Sequence, residues 1–299
     1  MRRLGIQINV AGSKASTMTI EDSVISDNVA TGNDLAGGGL GNAAAEYVTA
    51  TLRLVRSTVA RNSASYGGGV WCTTAGWPEP HTVTIIDRST IADNVAAGQG
   101  SGYADGGAVE NFASTLIVAN STISGNTATG VVDAFGGAIS NASYQDYPPA
   151  LVRLINSTMA DNSASGEGGG QSNYKYFPSD VVEAKFVNSI VAGNTAPSGS
   201  GCFGAGGLLT SQGNNLEDAD TCNFNRPSDQ VNANAALGPL QDNGGPTQTH
   251  ALLPGSQAID AANNAVCARS PINGIDQRGV SRPQGDGCDV GSYEAEEGR

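Results

Sequence analysis

The sequence has few aromatic residues, few charged residues and very few lysines. Aromatics make up 5% of the 299 residues, charged residues 14%, and only three of the 15 basic residues are lysine, yet the net charge is −13. Nucleic acids and anionic membranes gain affinity from clustered Lys and Arg, so neither is expected as a partner. The acidic balance is compatible with Ca²⁺, and it also provides solubility without any metal. We therefore predict no required cofactor, with Ca²⁺ as the compatible ion and no metal ligand singled out.

The chain also lacks a long apolar run, an amphipathic helical pattern and a catalytic motif. No stretch of about 18 apolar residues is present, so no membrane-spanning helix and no membrane insertion is predicted. Met1-Arg2-Arg3 is not followed by the apolar segment of a signal peptide, which we interpret as trimming of a longer product. Histidine occurs only at His81 and His250. No zinc-protease, nucleophile-elbow, phosphate-loop or EF-hand pattern is present.

Five cysteines are present, and four of them lie in the last third of the chain. Cys202 and Cys222 are separated by 20 residues, and Cys267 and Cys288 by 21, which predicts two local disulfides. Structural disulfides imply an oxidising, extracytoplasmic setting. Cys72 is left over, and we interpret it as a small buried hydrophobe rather than a nucleophile.

An internal repeat dominates what is present. Six segments share the form Ser-x-apolar-(Ser/Ala)-x-Asn, and their serines lie 34, 32, 32, 36 and 32 residues apart. These segments are SVISDN from Ser23, STVARN from Ser57, STIADN from Ser89, STISGN from Ser121, STMADN from Ser157 and SIVAGN from Ser189. Glycine elements recur between them at Gly37, Gly67, Gly106, Gly136 and Gly168.

Each repeat therefore holds two or three short strands between glycine and asparagine turns. Such a strand cannot bury its apolar face alone, but stacking identical units solves this, which predicts an all-β parallel β-helix (β-solenoid) with one repeat per coil. The final Asn of each segment is predicted to occupy a left-handed bend and to bond to the Asn above and below. The predicted inward apolar column is Ile25, Val59, Ile91, Ile123, Met159 and Val191.

The domain prediction is one continuous structural unit. Residues 1–198 hold the six recognisable coils of about 32–36 residues. Residues 199–299 are predicted to continue as degenerate coils and to end in a cap, with NNLEDAD and LGPL as further coils. Two matches to the N-glycan acceptor pattern, Asn120-Ser121-Thr122 and Asn156-Ser157-Thr158, are interpreted as scaffold, because Asn, Ser and Thr fill repeated positions.

The variable inserts after the glycine elements combine aromatic residues with acids or amides. Stacked coils would place these inserts along one edge of the rod, where aromatic faces and carboxylates suit a sugar chain. Packing of the aromatics on the coil surface and glycoside hydrolysis by paired carboxylates remain the alternatives. The ligand-binding candidates are Tyr47, Trp77, Tyr144, Tyr147, Tyr174 and Tyr176. No catalytic residue is predicted outright, and the candidates under the enzymatic alternative are Glu79, Glu110 and Asp146.

The motifs also resemble a known group of proteins. The GGAI, NSTISGN and ADNSA units resemble the repeats of polymorphic outer-membrane proteins and related right-handed parallel β-helix surface proteins. SQGNNLEDADTC (211–222), LGPLQDNGGPTQTHALLPGSQAIDAA (237–262) and IDQRGVSRPQGDGCDVGSYE (275–294) resemble the end of the choice-of-anchor Q domain family. The resemblance implies a right-handed parallel β-helix of a secreted or cell-surface bacterial protein, usually interpreted as an adhesin. The family name refers to anchoring signals that follow the domain, and we expect such an anchor to lie outside this sequence.

The C-terminal motifs also have a physical interpretation as a cap. An open β-helix end exposes unpaired strand edges, so terminal units need closure. The sequence predicts a loop-rich, disulfide-tied C-terminal cap. Arg278 and Arg282 lie near Asp276, Asp286 and Asp289, which predicts ion pairs that hold this cap together.

Two hypotheses of function follow, with a structural stalk that binds nothing as a third. The first is an extracellular adhesion or glycan-binding module, whose partner is a glycan or a component of a host or neighbouring cell surface. The second is a carbohydrate-active β-helix enzyme with carboxylates in the insert groove. Among enzymes a hydrolase of neutral glycans is favoured over a lyase, because basic residues are scarce in the inserts, with Lys175 the main exception, and an acidic protein repels a polyanion.

Overall fold

Three parallel sheets form the body of the molecule, and the chain passes through them in turn. The computed structural model describes residues 15–31, 35–45, 48–75, 81–98 and 102–296, together with the backbone of strand β1. Each of the three sheets has seven strands, which amounts to about six turns of a parallel β-helix. The predicted fold is therefore confirmed.

The strands of each sheet come from successive coils. Sheet A contains β1 (Ile6–Val10), β4 (Leu40–Ala45), β8 (Val70–Ala75), β13 (Val109–Phe112), β18 (Ile139–Ser143), β22 (Gln171–Lys175) and β25 (Cys202–Ala205). Sheet B contains β2 (Ser16–Glu21), β5 (Thr49–Val55), β9 (His81–Asp87), β14 (Thr115–Ala119), β19 (Ala150–Ile155), β23 (Val182–Val187) and β26 (Leu208–Ser211). Sheet C contains β3 (Val24–Ser26), β6 (Thr58–Ala60), β10 (Thr90–Ala92), β15 (Thr122–Ser124), β20 (Thr158–Ala160), β24 (Ile190–Ala192) and β27 (Leu216–Glu217).

Shorter elements complete the middle coils and the C-terminus. Sheet D contains β7 (Ser63–Ala64), β11 (Val95–Ala97), β16 (Thr127–Thr129) and β21 (Ser163–Ala164), and sheet E contains β12 (Tyr103–Asp105) and β17 (Asp133–Phe135). An antiparallel pair, β28 (Leu237–Gln241) and β29 (Thr249–Leu252), and the four-residue helix α1 (Asn264–Cys267) follow. No helix in the described ranges has the length and apolar character needed to cross a membrane.

The inward column of sheet C is the one that the repeat predicts. Ile25, Val59, Ile91, Ile123, Met159 and Val191 are in register from coil to coil and are all buried. They pack against the inward residues of sheet B, among them Leu52, Leu116 and Phe186, in one core. Parallel stacking brings the same side chain of each coil together, so burial of a whole column follows from the repeat.

Asparagine side chains form a second continuous column beside this core. In the Asn28, Asn62, Asn94, Asn126, Asn162 and Asn194 series, each amide donates to the side-chain carbonyl of the next Asn at 2.9 Å. The same carbonyl accepts the backbone N–H of the preceding Asn at 2.9–3.1 Å. The predicted Asn-to-Asn bonding is confirmed.

The left-handed bend was assigned to the wrong residue. It lies one position earlier, at Asp27, Arg61, Asp93, Gly125, Asp161 and Gly193, which all have positive φ. The Asn must keep its amide turned inward to reach the next coil. The preceding residue, which is exposed or only half-buried, makes the bend instead.

The glycine elements are needed for backbone geometry and for space. Gly106 has a φ of +64°, and a Cβ on Gly107 would lie 2.2 Å from the carbonyl oxygen of Gly137 in the next coil. The first glycine therefore makes a left-handed turn, and the second lets adjacent coils approach closely.

The end of the β-helix is closed by residues 217–231. Glu217 follows Val191 in the inward column, and its carboxylate accepts the backbone N–H groups of Thr221 and Cys222 at 2.9 and 3.0 Å. The Cys202–Cys222 disulfide ties this turn to sheet A, and the ring of Phe224 packs 5.3 Å from that of Phe186. NNLE does form a further rung, whereas LGPL lies in the antiparallel pair β28–β29 and is not a coil.

The C-terminal segment, residues 235–296, lies against the outer face of sheet C. Thr90 donates to the carbonyl of Gln248 at 2.6 Å, Thr122 donates to the side chain of Gln277 at 2.7 Å, and Thr158 accepts the N–H of Ser292 at 3.1 Å. The C-terminal segment therefore covers the outer face of sheet C over several coils, in addition to following the end of the β-helix. The predicted Cys267–Cys288 disulfide is present within it.

Buried ion pairs hold the C-terminal segment together, as predicted, but one partner differs. Arg278 pairs with Asp276 at 2.8 Å, whereas Arg282 pairs with Glu294 at 3.1 Å and not with the carboxylates of Asp286 or Asp289. The arginine of the second pair donates to the backbone carbonyl of Asp289 at 2.7 Å.

The residues that match the glycan-acceptor pattern are scaffold. Asn120 and Asn156 are fully buried. The amide of Asn120 donates to the carbonyl of Ile275 at 2.9 Å, under the C-terminal segment. A glycan could not be attached there without displacing that segment.

Candidate functional site

A column of outward-facing residues runs along the position just before each glycine element. Parallel bridges join these residues from coil to coil, because the glycine turn after each one has the same geometry. The column consists of Ala36, Tyr66, Asp105, Phe135, Glu167 and Ser198.

A second column lies on the other side of the glycine turn, on the outer face of sheet A. It is formed by the fourth residue after the first glycine of each coil, and strand register keeps these residues aligned. This column consists of Gly41, Trp71, Glu110, Ser140, Ser172 and Phe203.

Residues from both columns line an open cleft of about 660 Å³, hereafter the aromatic cleft. This volume lies within the range of about 300–1,000 Å³ that is typical of ligand sites. The lining residues come from the first five coils: Ala36, Tyr66, Trp71, Thr73, Tyr103, Asp105, Glu110, Phe112, Asp133, Phe135, Tyr174 and Tyr176.

Contacts between rings support one wall of the cleft. The ring of Tyr174 lies 5.3 Å from that of Phe135 and 4.8 Å from that of Tyr176. Behind them, Tyr144 contacts Tyr176 at 5.4 Å and Tyr147 at 6.4 Å, both edge-to-face. Such contacts hold the rings in place and leave part of the wall's aromatic surface available to a ligand.

Two carboxyl groups in the cleft have oxygens without a hydrogen-bond partner. Glu110 is only 8% exposed, and its Oε2 has no partner among the described residues. The Oδ1 of Asp105 is also buried and unpartnered within those residues. Buried polar atoms are normally satisfied, so these two oxygens require a compensating group.

The surroundings of these carboxyl groups disfavour their charged forms. Burial, with the negative charge of Asp133 as the second cause, raises the pKa of Asp105 to about 7. Burial raises the pKa of Glu110 well above its ordinary value, with the charge of Asp105 as the second cause. Burial and the charge of Asp133 also raise the pKa of Glu167. None of the described lining residues is Lys, Arg or His.

Tyr176 reflects the same electrostatic environment. Partial burial raises the pKa of its phenol, and the charges of Asp105 and Glu110 raise it further. The phenol of Tyr176 therefore remains a neutral hydrogen-bonding group in an acidic cleft.

The structure brings some of the predicted site residues together. Tyr174 and Tyr176 line the aromatic cleft, and Tyr144 and Tyr147 pack behind them. Glu110 lies in the cleft, whereas Asp146 lies in an exposed turn and is not part of the lining. The remaining candidates lie outside the described residues: Tyr47, Trp77 and Glu79.

Sequence reasoning missed several other lining residues of the cleft. Tyr66, Asp105 and Phe135 directly precede a glycine element, and Trp71 follows one at the same offset as Glu110. This fixed offset was visible in the sequence. The prediction rests instead on the longer inserts, because variable length is typical of binding loops.

The remaining reactive side chains are structural. Cys72 is buried, and burial raises the pKa of its thiol to about 12, so it is not a thiolate nucleophile. His250 is also buried; its Nδ1 donates to the carbonyl of Gly238 at 2.7 Å, and the hydroxyl of Ser124 donates to its Nε2 at 2.8 Å. The Ser124–His250 pair lies beneath the C-terminal segment and joins it to sheet C.

No three His, Cys, Asp or Glu side chains in the described part of the chain are grouped so that they could hold a metal ion. The relevant properties of the acidic groups in the aromatic cleft are therefore their hydrogen bonding and their charge.

A second groove differs in its chemistry. It has a volume of about 460 Å³ and lies between the outer face of sheet B and the C-terminal segment. Its apolar floor includes Ile85 and Ile117, and three exposed arginines line it: Arg53, Arg153 and Arg269. It has no aromatic side chain among its described lining residues.

Comparisons of the chain with protein-family models, with curated proteins and with solved structures gave no match. The resemblance to choice-of-anchor Q domains and polymorphic outer-membrane proteins therefore stays a prediction. The two disulfides indicate an oxidising environment.

Proposed function

We propose that the protein is an extracellular glycan-binding module and that the aromatic cleft is its binding site. One observation carries the proposal: a single cleft combines several aromatic side chains with buried, unpartnered carboxylate oxygens. The disulfides support an extracytoplasmic location, and the resemblance to surface β-helix proteins supports a role in adhesion.

A sugar chain matches both features of the cleft. The C–H face of a sugar ring packs on an aromatic face such as that of Trp71, while its hydroxyl groups donate to the free oxygens of Asp105 and Glu110. The lining extends from coil to coil, and coils two to five span about 14 Å at the spacing of parallel strands. A site of this length suits a chain better than a single ring.

An anionic polysaccharide fits poorly. The cleft has four acidic side chains in or beside it (Asp105, Glu110, Asp133 and Glu167) and no basic residue in its described lining. These acidic groups would repel a polyanion, which argues against a lyase acting on acidic sugars.

A glycoside hydrolase is the second candidate, and a specific observation favours it. Asp105 and Glu110 share the cleft, and burial raises the pKa of both carboxyl groups. A general acid in glycoside hydrolysis requires such a raised pKa, and a second carboxylate completes the usual pair.

The first experiment measures binding. Titration calorimetry of the purified protein against neutral, acetylated and amino oligosaccharides should find at least one that binds. Trp71→Ala should weaken that binding by about tenfold or more, because an aromatic anchor at the centre of an interface contributes on the order of 2 kcal/mol. Leu208→Ala, which truncates an exposed apolar side chain on sheet B outside the cleft, is the control and should bind normally.

Two outcomes would contradict this assignment. Binding that Trp71→Ala leaves unchanged would place the glycan elsewhere on the molecule. No binding to any oligosaccharide would favour the structural stalk. Release of new reducing ends that stops in Glu110→Gln would favour the hydrolase.

A further inference from the structure

The strongest unexplained feature of the cleft is the unpaired carboxyl group of Glu110. Its side chain is more than nine-tenths buried and lines the cleft, with Oε2 unpartnered among the described residues. A neutral hydroxyl would satisfy one oxygen by donating a hydrogen bond. An ammonium group would donate hydrogen bonds and also compensate the charge, which is the larger cost of burial.

A second carboxyl group in the lining of the cleft makes the same demand. Asp105 lies across the glycine turn from Glu110, and its Oδ1 is likewise unpartnered in the described part of the chain. Its charge raises the pKa of Glu110, so the two groups interact through the cleft. One cation between them would stabilise both ionised forms.

The rest of the lining also favours a cation. Trp71, Phe112 and Tyr176 line the cleft, and the faces of such rings attract positive charge. The other titratable groups in the described lining are acidic or phenolic: Asp133, Tyr66, Tyr103 and Tyr174. None of the described lining residues is basic. No protein cation in the lining therefore competes for the two carboxylates.

We propose that the ligand of the aromatic cleft is a cationic glycan, a chain of hexosamines with free amino groups, which places one ammonium between Asp105 and Glu110. This inference rests on the proposed glycan binding and specifies its ligand class. The sugar ring supplies the C–H face for the aromatic wall, and the amine supplies the charge. A neutral glycan uses only the first of these contacts, and an anionic glycan is repelled.

The experiment compares three β-1,4-linked hexamers that differ only at carbon 2 of each sugar: an amine, an acetamide or a hydroxyl. Calorimetry at neutral pH should find the amine hexamer bound about tenfold or more tightly than the other two, because a charged hydrogen bond is worth about 1.5–3 kcal/mol. Acidification should weaken its binding, because the carboxyl groups with raised pKa become protonated and no longer attract the ammonium group.

Amide variants provide the specificity test. Glu110→Gln and Asp105→Asn should reduce the preference for the amine hexamer to less than about threefold, while binding of the acetamide or hydroxyl hexamer is retained and reports a folded cleft. Asp93→Asn is the matched control; this aspartate is exposed at the bend after sheet C, where Asn tolerates the same positive φ.

The outcomes separate the two levels of the proposal. If no hexamer binds, the proposed glycan binding itself fails. If the three hexamers bind equally, or the variants keep the full preference, glycan binding stands and the cationic ligand is wrong. If the linear polyamine spermidine displaces the amine hexamer at equal amine concentration, the cleft recognises a cation without its sugar, which also overturns the inference.

Discussion

Glu110 is the residue on which the chemistry of the cleft depends most. It lies at a position that holds Trp71 in the previous coil and Ser140 in the next, so the repeat places it but does not determine its identity. A side chain whose charged form is disfavoured in the folded state destabilises the protein wherever it must ionise. The free energy of unfolding of the ligand-free protein should therefore depend measurably on the ionisation of Glu110.

We predict that Glu110→Gln stabilises the ligand-free protein at alkaline pH. The folded pKa of Glu110 is raised, so its contribution to stability is fully present below the unfolded value of about 4.3 and is lost as pH rises through the folded pKa. At about pH 8 the variant should be more stable than the wild type by about 1 kcal/mol or more, because glutamine does not ionise and one pKa unit of disfavoured ionisation corresponds to about 1.4 kcal/mol. Urea unfolding at about pH 5 and about pH 8 measures this difference.

Other groups contribute to the same pH dependence. Burial raises the pKa of Asp105 and of Glu294 to about 7, and it also raises the pKa of Asp289, so the wild-type protein should lose stability with rising pH even in the variant. The informative quantity is the difference between Glu110→Gln and the wild type. Equal losses in the two proteins would show that Glu110 is not held in an unfavourable environment.

The acids of the cleft could be located from the sequence only in part. The pairing of acids with aromatics in the inserts identifies Glu110 as a candidate, because it lies close to Phe112. The same pattern does not identify Asp105, which directly precedes a glycine element. The offset from the glycine turn identifies both. Their burial and missing hydrogen bonds depend on the rings of neighbouring coils, which no local pattern describes.

At the scale of the structural element, the asparagine column connects the coils most directly. Asn126 is fully buried, and its side chain accepts from the backbone and the amide of Asn94, both at 2.9 Å. It donates to the carbonyl of Ile91 at 3.0 Å and to the side chain of Asn162 at 2.9 Å. Each partner would lose a hydrogen bond if this amide were removed.

We predict that Asn126→Ala destabilises the protein by about 3–5 kcal/mol, because several buried donors and acceptors are left unsatisfied together. Urea unfolding followed by circular dichroism measures the change. The control is Asn225→Ala, since this asparagine is exposed and makes only a 3.4 Å contact with Asn223. A loss of less than about 1 kcal/mol in Asn126→Ala would mean that water replaces the column's hydrogen bonds.

The sequence predicted this column because Asn recurs at the strand end of every coil. It did not place the bend correctly, although glycine at positions 125 and 193 already indicated a left-handed residue before the Asn. Asn is common in such bends, and that preference outweighed the local pattern. In the structure the Asn amides bond to the next coil, so the bend lies at the residue before the Asn.

At the scale of the whole molecule, the parallel β-helix was predictable because every coil repeats its inward residues at a nearly constant spacing. The course of the C-terminal segment was not. Thr122 contacts Gln277 across 155 residues, and Ser292 contacts Thr158 across 134. These contacts involve threonines on the outer face of sheet C. Such threonines recur in the same way whether solvent or another segment covers the sheet, so the sequence pattern does not predict the contact.

Binding in the aromatic cleft is the central claim, and a crystal structure of the protein with the hexosamine hexamer tests it most directly. We predict a sugar ring packed on Trp71, with an amine nitrogen within hydrogen-bonding distance of both Glu110 and Asp105. A hexamer seated in the groove of Arg53, Arg153 and Arg269, or anywhere else while the aromatic cleft holds only water, would contradict the account.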